Sequence, residues 1–222
     1  MPETKKVLLV GASGLIGSNL LQLLLNDGNF QEVVSWSRKA QELHHPKLTE
    51  KEIDFNSIEK IPSENFDVIF CCLGTTINKA KSQKQFYKVD HDYVVELARY
   101  AEISGISKFI VISSIGAKKD TSNFYIRTKG EMEYDICNFN IPNITILRPS
   151  ILLGKRKEFR FGELIGKGFM KAISFLFIGK MKKYKGIQAK TVAEAMVRLA
   201  KRNIEGKFIF ESDQIAKISK EK

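Results

Sequence analysis

Apolar positions along the chain change their period in a regular rhythm. Short, nearly continuous apolar runs suit strands covered on both faces, and they alternate with stretches whose apolar residues recur every three or four positions, as in helices. Val7–Val10 is the first run, and Leu15, Ile16, Leu20, Leu21, Leu23 and Leu24 follow it at helical intervals. Glu32–Ser37 predicts a second strand and Lys51–Phe55 a short third, with polar, irregular chain over 40–48. Asp67–Leu73, Lys108–Ser114, Asn143–Leu147 and Lys207–Phe210 predict four more strands. Between them, Gln83–Ser104 predicts one long helix ended by Gly105. Thr191–Arg202 predicts an amphipathic helix that opens on a Thr191/Glu194 capping box. Glu163–Ile178 is apolar with scattered lysines and suits core packing, a lid, a dimer helix or a membrane-surface helix, with core packing the default.

The junction between the first strand and first helix carries the strongest chemical signal. Gly11, Ala12, Ser13, Gly14 and Gly17 crowd small residues into a turn that ends where the helix begins. A helix N-terminus offers unsatisfied N–H groups and partial positive charge, and glycines let a phosphate approach the backbone. The spacing is G-x-x-G-x-x-G rather than G-x-G-x-x-G. Strand, glycine turn and helix together predict a dinucleotide site, and the alternating elements predict an α/β, doubly wound parallel-sheet Rossmann fold. We expect one domain over 1–222, with a cofactor-binding core over 1–154 and a small substrate-covering or lid portion over 155–222.

The second strand ends in Ser37-Arg38-Lys39, with no acid where NAD enzymes place one for the ribose 2′-hydroxyl. A guanidinium suits a 2′-phosphate, so NADP(H) is the expected cofactor, the bland alternative being two exposed loop charges. Asp54 falls where related folds place an acid near the adenine. Leu73, Gly74 and Thr75 follow the fourth strand and are expected beside the adenosine ribose and pyrophosphate. Leu152 offers an apolar wall for the nicotinamide, and Arg160, in a basic stretch over 155–160, is a candidate clamp for phosphate or an anionic substrate.

Tyr125 and Lys129 lie four residues apart, one helical turn. A lysine ammonium there favours the phenolate of a tyrosine that would otherwise titrate near ~10, making it a proton donor and acceptor for a carbonyl group. Ser114, at the end of the fifth strand, can hydrogen-bond the substrate carbonyl, with Ser113 as substitute.

Length and composition limit the alternatives. The 222 residues suffice for one substantial domain, and 43% hydrophobic with 27% charged residues is ordinary for a globular protein. No apolar run is long enough to span a bilayer, and none matches a secretory leader. Cys71, Cys72 and Cys137 do not suggest a disulfide framework, which points to the cytoplasm. His44, His45 and His91 lack metal-ligand spacing, so no metal is expected. The net charge of +11 comes from dispersed lysines rather than an aromatic-interleaved patch, which disfavours nucleic acid and leaves solvation or steering of an anionic ligand. Either a monomer or a homodimer is compatible with the pattern.

The series G-A-S-G-L-I-G, S-R-K, C-C-L-G-T-T, K-V-D-H-D-Y-V, I-S-S-I-G-A, S-N-F-Y-I-R-T-K-G-E and L-R-P-S-I-L-L-G resembles the atypical short-chain dehydrogenase/reductases related to the Tat-interacting oxidoreductase of animals. The resemblance implies an NADPH-binding Rossmann domain. It implies Ser13, Gly14, Leu15 and Ile16 at the pyrophosphate, Arg38 and Lys39 at the 2′-phosphate, Leu73 and Gly74 along the cofactor, and Tyr125 with Lys129 as the catalytic pair. Ser114 stands nearer to the tyrosine in sequence than the superfamily serine usually does. The expected function is reduction of a small carbonyl substrate by NADPH. The alternative implied by the same family is an NADPH-sensing regulator that acts through protein partners.

Overall fold

The computed structural model describes residues 4–154 and 185–221. Its frame is a seven-stranded sheet in the order β3-β2-β1-β4-β5-β6-β9, with every neighbouring pair parallel. The strands are β1 (Lys5–Val10), β2 (Phe30–Ser37), β3 (Leu48–Glu52), β4 (Val68–Cys71), β5 (Lys108–Ile112), β6 (Asn143–Arg148) and β9 (Gly206–Glu211). A separate two-stranded pair joins β7 (Leu152–Leu153) to β8 (Ile187–Gln188).

Both faces of the sheet are covered, which is why its central strands are mostly apolar. Alternate residues of each strand enter opposite layers. Val7 and Leu9 of β1, Val33 of β2 and Phe70 of β4 pack against α1 (Leu15–Leu25), α6 (Ala189–Lys201) and α7 (Ser212–Ile218). Leu8 and Val10, Val34 and Trp36, and Ile69 and Cys71 face α4 (Tyr93–Ile103) and α5 (Phe124–Ile136) instead.

Four expectations shift. β3 begins three residues earlier than the apolar alternation of Ile53 and Phe55 suggests. As an edge strand with half its surface solvated it needs few apolar residues, and Glu50 on it accepts the Gln41 and Leu43 N–H groups. The single long helix over 83–104 is instead α3 (Gln83–Tyr87), a π-helical turn over Lys88–Asp92, and α4; α2 (Ile77–Ala80) precedes them. The helix expected from Thr191 starts at Ala189 with Gln188 at its cap. The capping box lies instead at α7, where the Glu211 side chain and the Gln214 amide exchange hydrogen bonds with each other's backbone. Finally, within the portion over 155–222, α6 and α7 cover the sheet beside α1 and β9 extends it. The basic stretch with Arg160 and the apolar segment over 163–178 lie outside the described residues.

Candidate active site

The strand order reverses between β1 and β4, and a doubly wound sheet binds its ligand at such a point. A cleft of about 570 Å³ opens there across the carboxyl ends of β1, β2 and β4. Gly11, Ser13 and Gly14 form its floor. Trp36, Ser37 and Arg38 come from the end of β2, and Cys72–Thr75 follow β4. Lys79, Gln85, Val89 and Tyr93 close the opposite side.

Two glycines explain the floor. Gly11 has φ +89, and a Cβ on it would lie 2.7 Å from the Cys72 carbonyl carbon and oxygen at the end of β4. A Cβ on Gly17 would lie 2.1 Å from the Gly11 carbonyl oxygen, so α1 rests directly on the turn. Helix α1 starts at an extended Gly14 with no side-chain cap and no acid in its first turn. Its positive end and first N–H groups are therefore left to whatever anion enters the cleft, which fits a pyrophosphate. Ile16 and Gly17 are buried in the helix and can serve the site only through the backbone, and Leu15 packs its side chain beside Gly154.

Arg38 and Lys79 are the charged residues of the described lining, which includes no carboxylate. Lys79, on α2, was not legible from sequence because its approach depends on how the segment after β4 folds back. Lys39 is not in the lining, although its carbonyl accepts the Ser37 hydroxyl. Nor does Asp54 reach the cleft. Its carboxylate accepts the Asn56 backbone and side-chain N–H groups, which hold it below the usual carboxylate range, and the neighbouring Phe55 lines the cleft in its place.

A second, much smaller space adjoins the first and shares Leu73 with it. Ser113, Ser114, Tyr125, Lys129 and Leu152 meet there with Ile112, Pro149 and Ser150, around about 20 Å³. Helix α5 delivers Tyr125 and Lys129 because Asn123 caps it, its side chain accepting the Ile126 N–H. Gly130 lets α5 lie against the loop after β5: a Cβ there would sit 2.2 Å from the Lys118 carbonyl carbon. The Tyr125 ring packs on Phe86, with centroids 5.6 Å apart. The Ser113 hydroxyl is buried without a hydrogen-bond partner among the described residues, and such an orphan calls for a functional account.

Lys129 is 3% exposed and its ammonium lies 2.7 Å from the Asp90 carboxylate, itself wholly buried. Asp90 went unnoticed in sequence because a π-helical turn carries it, and helical periodicity does not register one. Among the described residues no cluster of His, Cys, Asp or Glu could hold a metal ion, and no helix is long and apolar enough to cross a membrane.

A parallel sheet with an uncapped helix end at its switch point defines a Rossmann-like α/β fold of the nucleotide-binding kind. The chain belongs to the NAD dependent epimerase/dehydratase family, whose model matches residues 7–206. It is 34% identical to Protein HTATIP2 of Rattus norvegicus over 172 residues, 75% of this chain and 71% of that protein. It is 36% identical to the mitochondrial protein FMP52 of Candida glabrata over 69% of this chain and 66% of the relative. The mitochondrial fmp52 of Aspergillus niger is 28% identical and aligns over 94% of this chain and 92% of its own. Among solved structures, UDP-glucuronic acid 4-epimerase from Bacillus cereus in complex with NAD shares the fold at a TM-score of 0.66. It is 20% identical, with 93% of this chain and 77% of that one covered. The oxidoreductase ylbE of Lactococcus lactis superposes with a TM-score of 0.55 at 22% identity, over 68% of this chain and 71% of that one.

These relatives correct the expected cytoplasmic location, since the fungal ones are named as mitochondrial. Unpaired cysteines argue against an oxidising compartment and do not choose among the others.

Proposed function

We propose that the protein is an NADPH-dependent reductase of small carbonyl compounds, with Tyr125 as the proton donor. The observation that carries this reading is the convergence of Tyr125, Lys129, Ser113 and Ser114 on a pocket that shares Leu73 with the cofactor cleft. The cofactor, when bound, supplies a hydride to the carbonyl carbon. Tyr125 donates its phenolic proton to the carbonyl oxygen as charge develops there, and the Ser113 or Ser114 hydroxyl donates a hydrogen bond to the same oxygen. Lys129, held by its ion pair with Asp90, has three N–H donors to offer the ribose hydroxyls and to return a proton to Tyr125. Leu152 and Pro149 contribute apolar walls that limit access of water.

NADP(H) rather than NAD(H) is supported by Arg38 and Lys79 in a lining that has no carboxylate among the described residues, since an acid at the end of β2 would repel a 2′-phosphate. The test is an NADPH-oxidation assay over a panel of small aldehydes and ketones, with Tyr125→Phe alongside. Turnover lost in the variant, with NADPH binding kept within about threefold, supports the assignment; turnover retained by Tyr125→Phe makes another group the acid.

A second reading is an NADPH-sensing regulator with little or no turnover. It draws on the size of the Tyr125 pocket: about 20 Å³ is room for roughly one water molecule. NADPH binding without oxidation across the whole panel would favour it.

A further inference from the structure

We infer that Asp90 is a positioning residue of the proposed reaction, tying the cofactor-lining loop after β4 to Lys129 through its two carboxylate oxygens. This deepens the reductase reading and rests on it.

Asp90 Oδ2 accepts the Thr75 N–H at 2.7 Å, and Oδ1 lies 2.7 Å from Lys129 Nζ. Each partner belongs to a different half of the site. Thr75 lines the cofactor cleft, whereas Lys129 lines the Tyr125 pocket. One buried carboxylate therefore spans the two. Its surroundings make the arrangement costly: Asp90 is 0% exposed, and removing a carboxylate from water is unfavourable unless charge and hydrogen bonds replace the solvent. Apolar residues of similar volume would stabilise a core as well or better, so a buried ion pair is weak evidence for a purely structural role. A role in alignment accounts for its position between the pockets. Lysine has a flexible four-carbon stem, and a fixed counter-ion restricts it to few rotamers.

Asp90 is itself held from both sides. Its π-helical turn is a rare conformation that concentrates at functional sites. The next residue, His91, has Nδ1 at 2.9 Å from Asp92 Oδ1 and Nε2 at 2.9 Å from Asp135 Oδ2, with its ring stacked on Tyr87. Asp135 and Lys129 both belong to α5, so the turn is fastened to that helix at Asp90 and again at His91. Movement of the loop after β4 thus reaches Lys129 through the Asp90 carboxylate. Seating a dinucleotide against Thr75 orders the proton-transfer pair, and by linkage the pair's order favours the seated dinucleotide.

The test combines NADPH calorimetry with turnover for Asp90→Asn, Lys129→Met and the double variant. Asp90→Asn is expected to weaken NADPH binding by about tenfold and to lower kcat by at least as much. The double variant should bind within about threefold of Lys129→Met alone, because the two residues act as one coupled unit. Full additivity of the single effects, or unchanged NADPH affinity in folded Asp90→Asn, overturns the inference. If Asp90→Asn does not fold, Asp90→Glu replaces it. The longer acid keeps the charge but displaces Lys129, so kcat should fall about tenfold with the melting temperature near that of the parent, and an unchanged kcat overturns the inference. Failure of the parent protein to bind NADPH removes the proposed function itself, and this inference with it. Tight binding with additive single effects removes only the inference.

Discussion

Substituting Gly17 by alanine tests the contact on which fold and site both depend. The added methyl carbon would lie 2.1 Å from the Gly11 carbonyl oxygen, 2.8 Å from the Gly11 carbonyl carbon and 3.0 Å from the Ala12 Cα. All three are backbone atoms, so no side chain can rotate away. Relief requires α1 to withdraw from the end of β1 by roughly 1 Å, since carbon–oxygen contacts settle near ~3.3 Å. Overpacking of this kind costs about 1–3 kcal/mol, and with backbone on both sides the upper end applies. Alanine returns about 1 kcal/mol through helix propensity. The net loss is then ~2 kcal/mol, a fall in melting temperature of roughly 4–8 °C for a chain of this size. The same withdrawal carries Ser13 and Gly14 away from the cleft, so NADPH affinity should fall about tenfold or more. Gly28→Ala is the control, because a Cβ there meets nothing within 4 Å and its φ is not left-handed. It should change stability by no more than about 0.5 kcal/mol in either direction. Scanning calorimetry and NADPH titration read both quantities. A Gly17→Ala protein as stable as the parent, with unchanged affinity, would refute the argument that α1 is seated on the glycine turn.

Other outcomes follow from single contacts. Arg38→Ala should weaken NADPH by roughly 10- to 100-fold, the value of a charge-assisted contact, while leaving NADH within about threefold; equal losses for both cofactors in parallel titrations would sever Arg38 from the 2′-phosphate. Burial pushes the Cys71 thiol up to about 12 and Cys72 well above its ordinary range. Cys71 should resist alkylation at pH 8 in the folded protein and react rapidly in denaturant, as mass spectrometry would read; fast labelling of native Cys71 would contradict its burial. Burial would raise the Asp27 carboxyl, but hydrogen bonds from Lys201 and Asn29 outweigh it and hold the group below 3.8. Its stabilising contribution is therefore complete above that pH and is lost as the pH falls through the lower folded value. Lys201→Met should flatten this acid limb of the stability curve; an unchanged limb in urea titrations at pH 2–5 assigns it to other groups.

The glycine turn, all seven main strands (six of them to within two residues), and the pairing of Tyr125 with Lys129 on one helix were legible in sequence because they are local. A buried strand needs a run of apolar residues, and two side chains four apart on a helix share a face wherever that helix goes. The missed parts depend on approach between distant segments. Lys79 reaches the cleft only because α2 folds back over it, and Asp90 matters only because α5 brings Lys129 against it. Asp54 shows the converse: its position after an expected strand suited an adenine contact, but β3 ends at Glu52 and the turn at Asn56 captures the carboxylate.

By itself, then, the sequence determined the alternation of strands and helices, the nucleotide-binding turn and the residue types available for proton transfer, since these follow from periodicity and local backbone chemistry. Tertiary structure alone decided which charges meet. It left Arg38 and Lys79 in a cleft lining with no carboxylate among the described residues, turned Asp54 away, and buried Asp90 between Thr75 and Lys129. The physical reason is that Coulombic and hydrogen-bond energies depend on separation in space and on burial, and neither quantity is written along the chain.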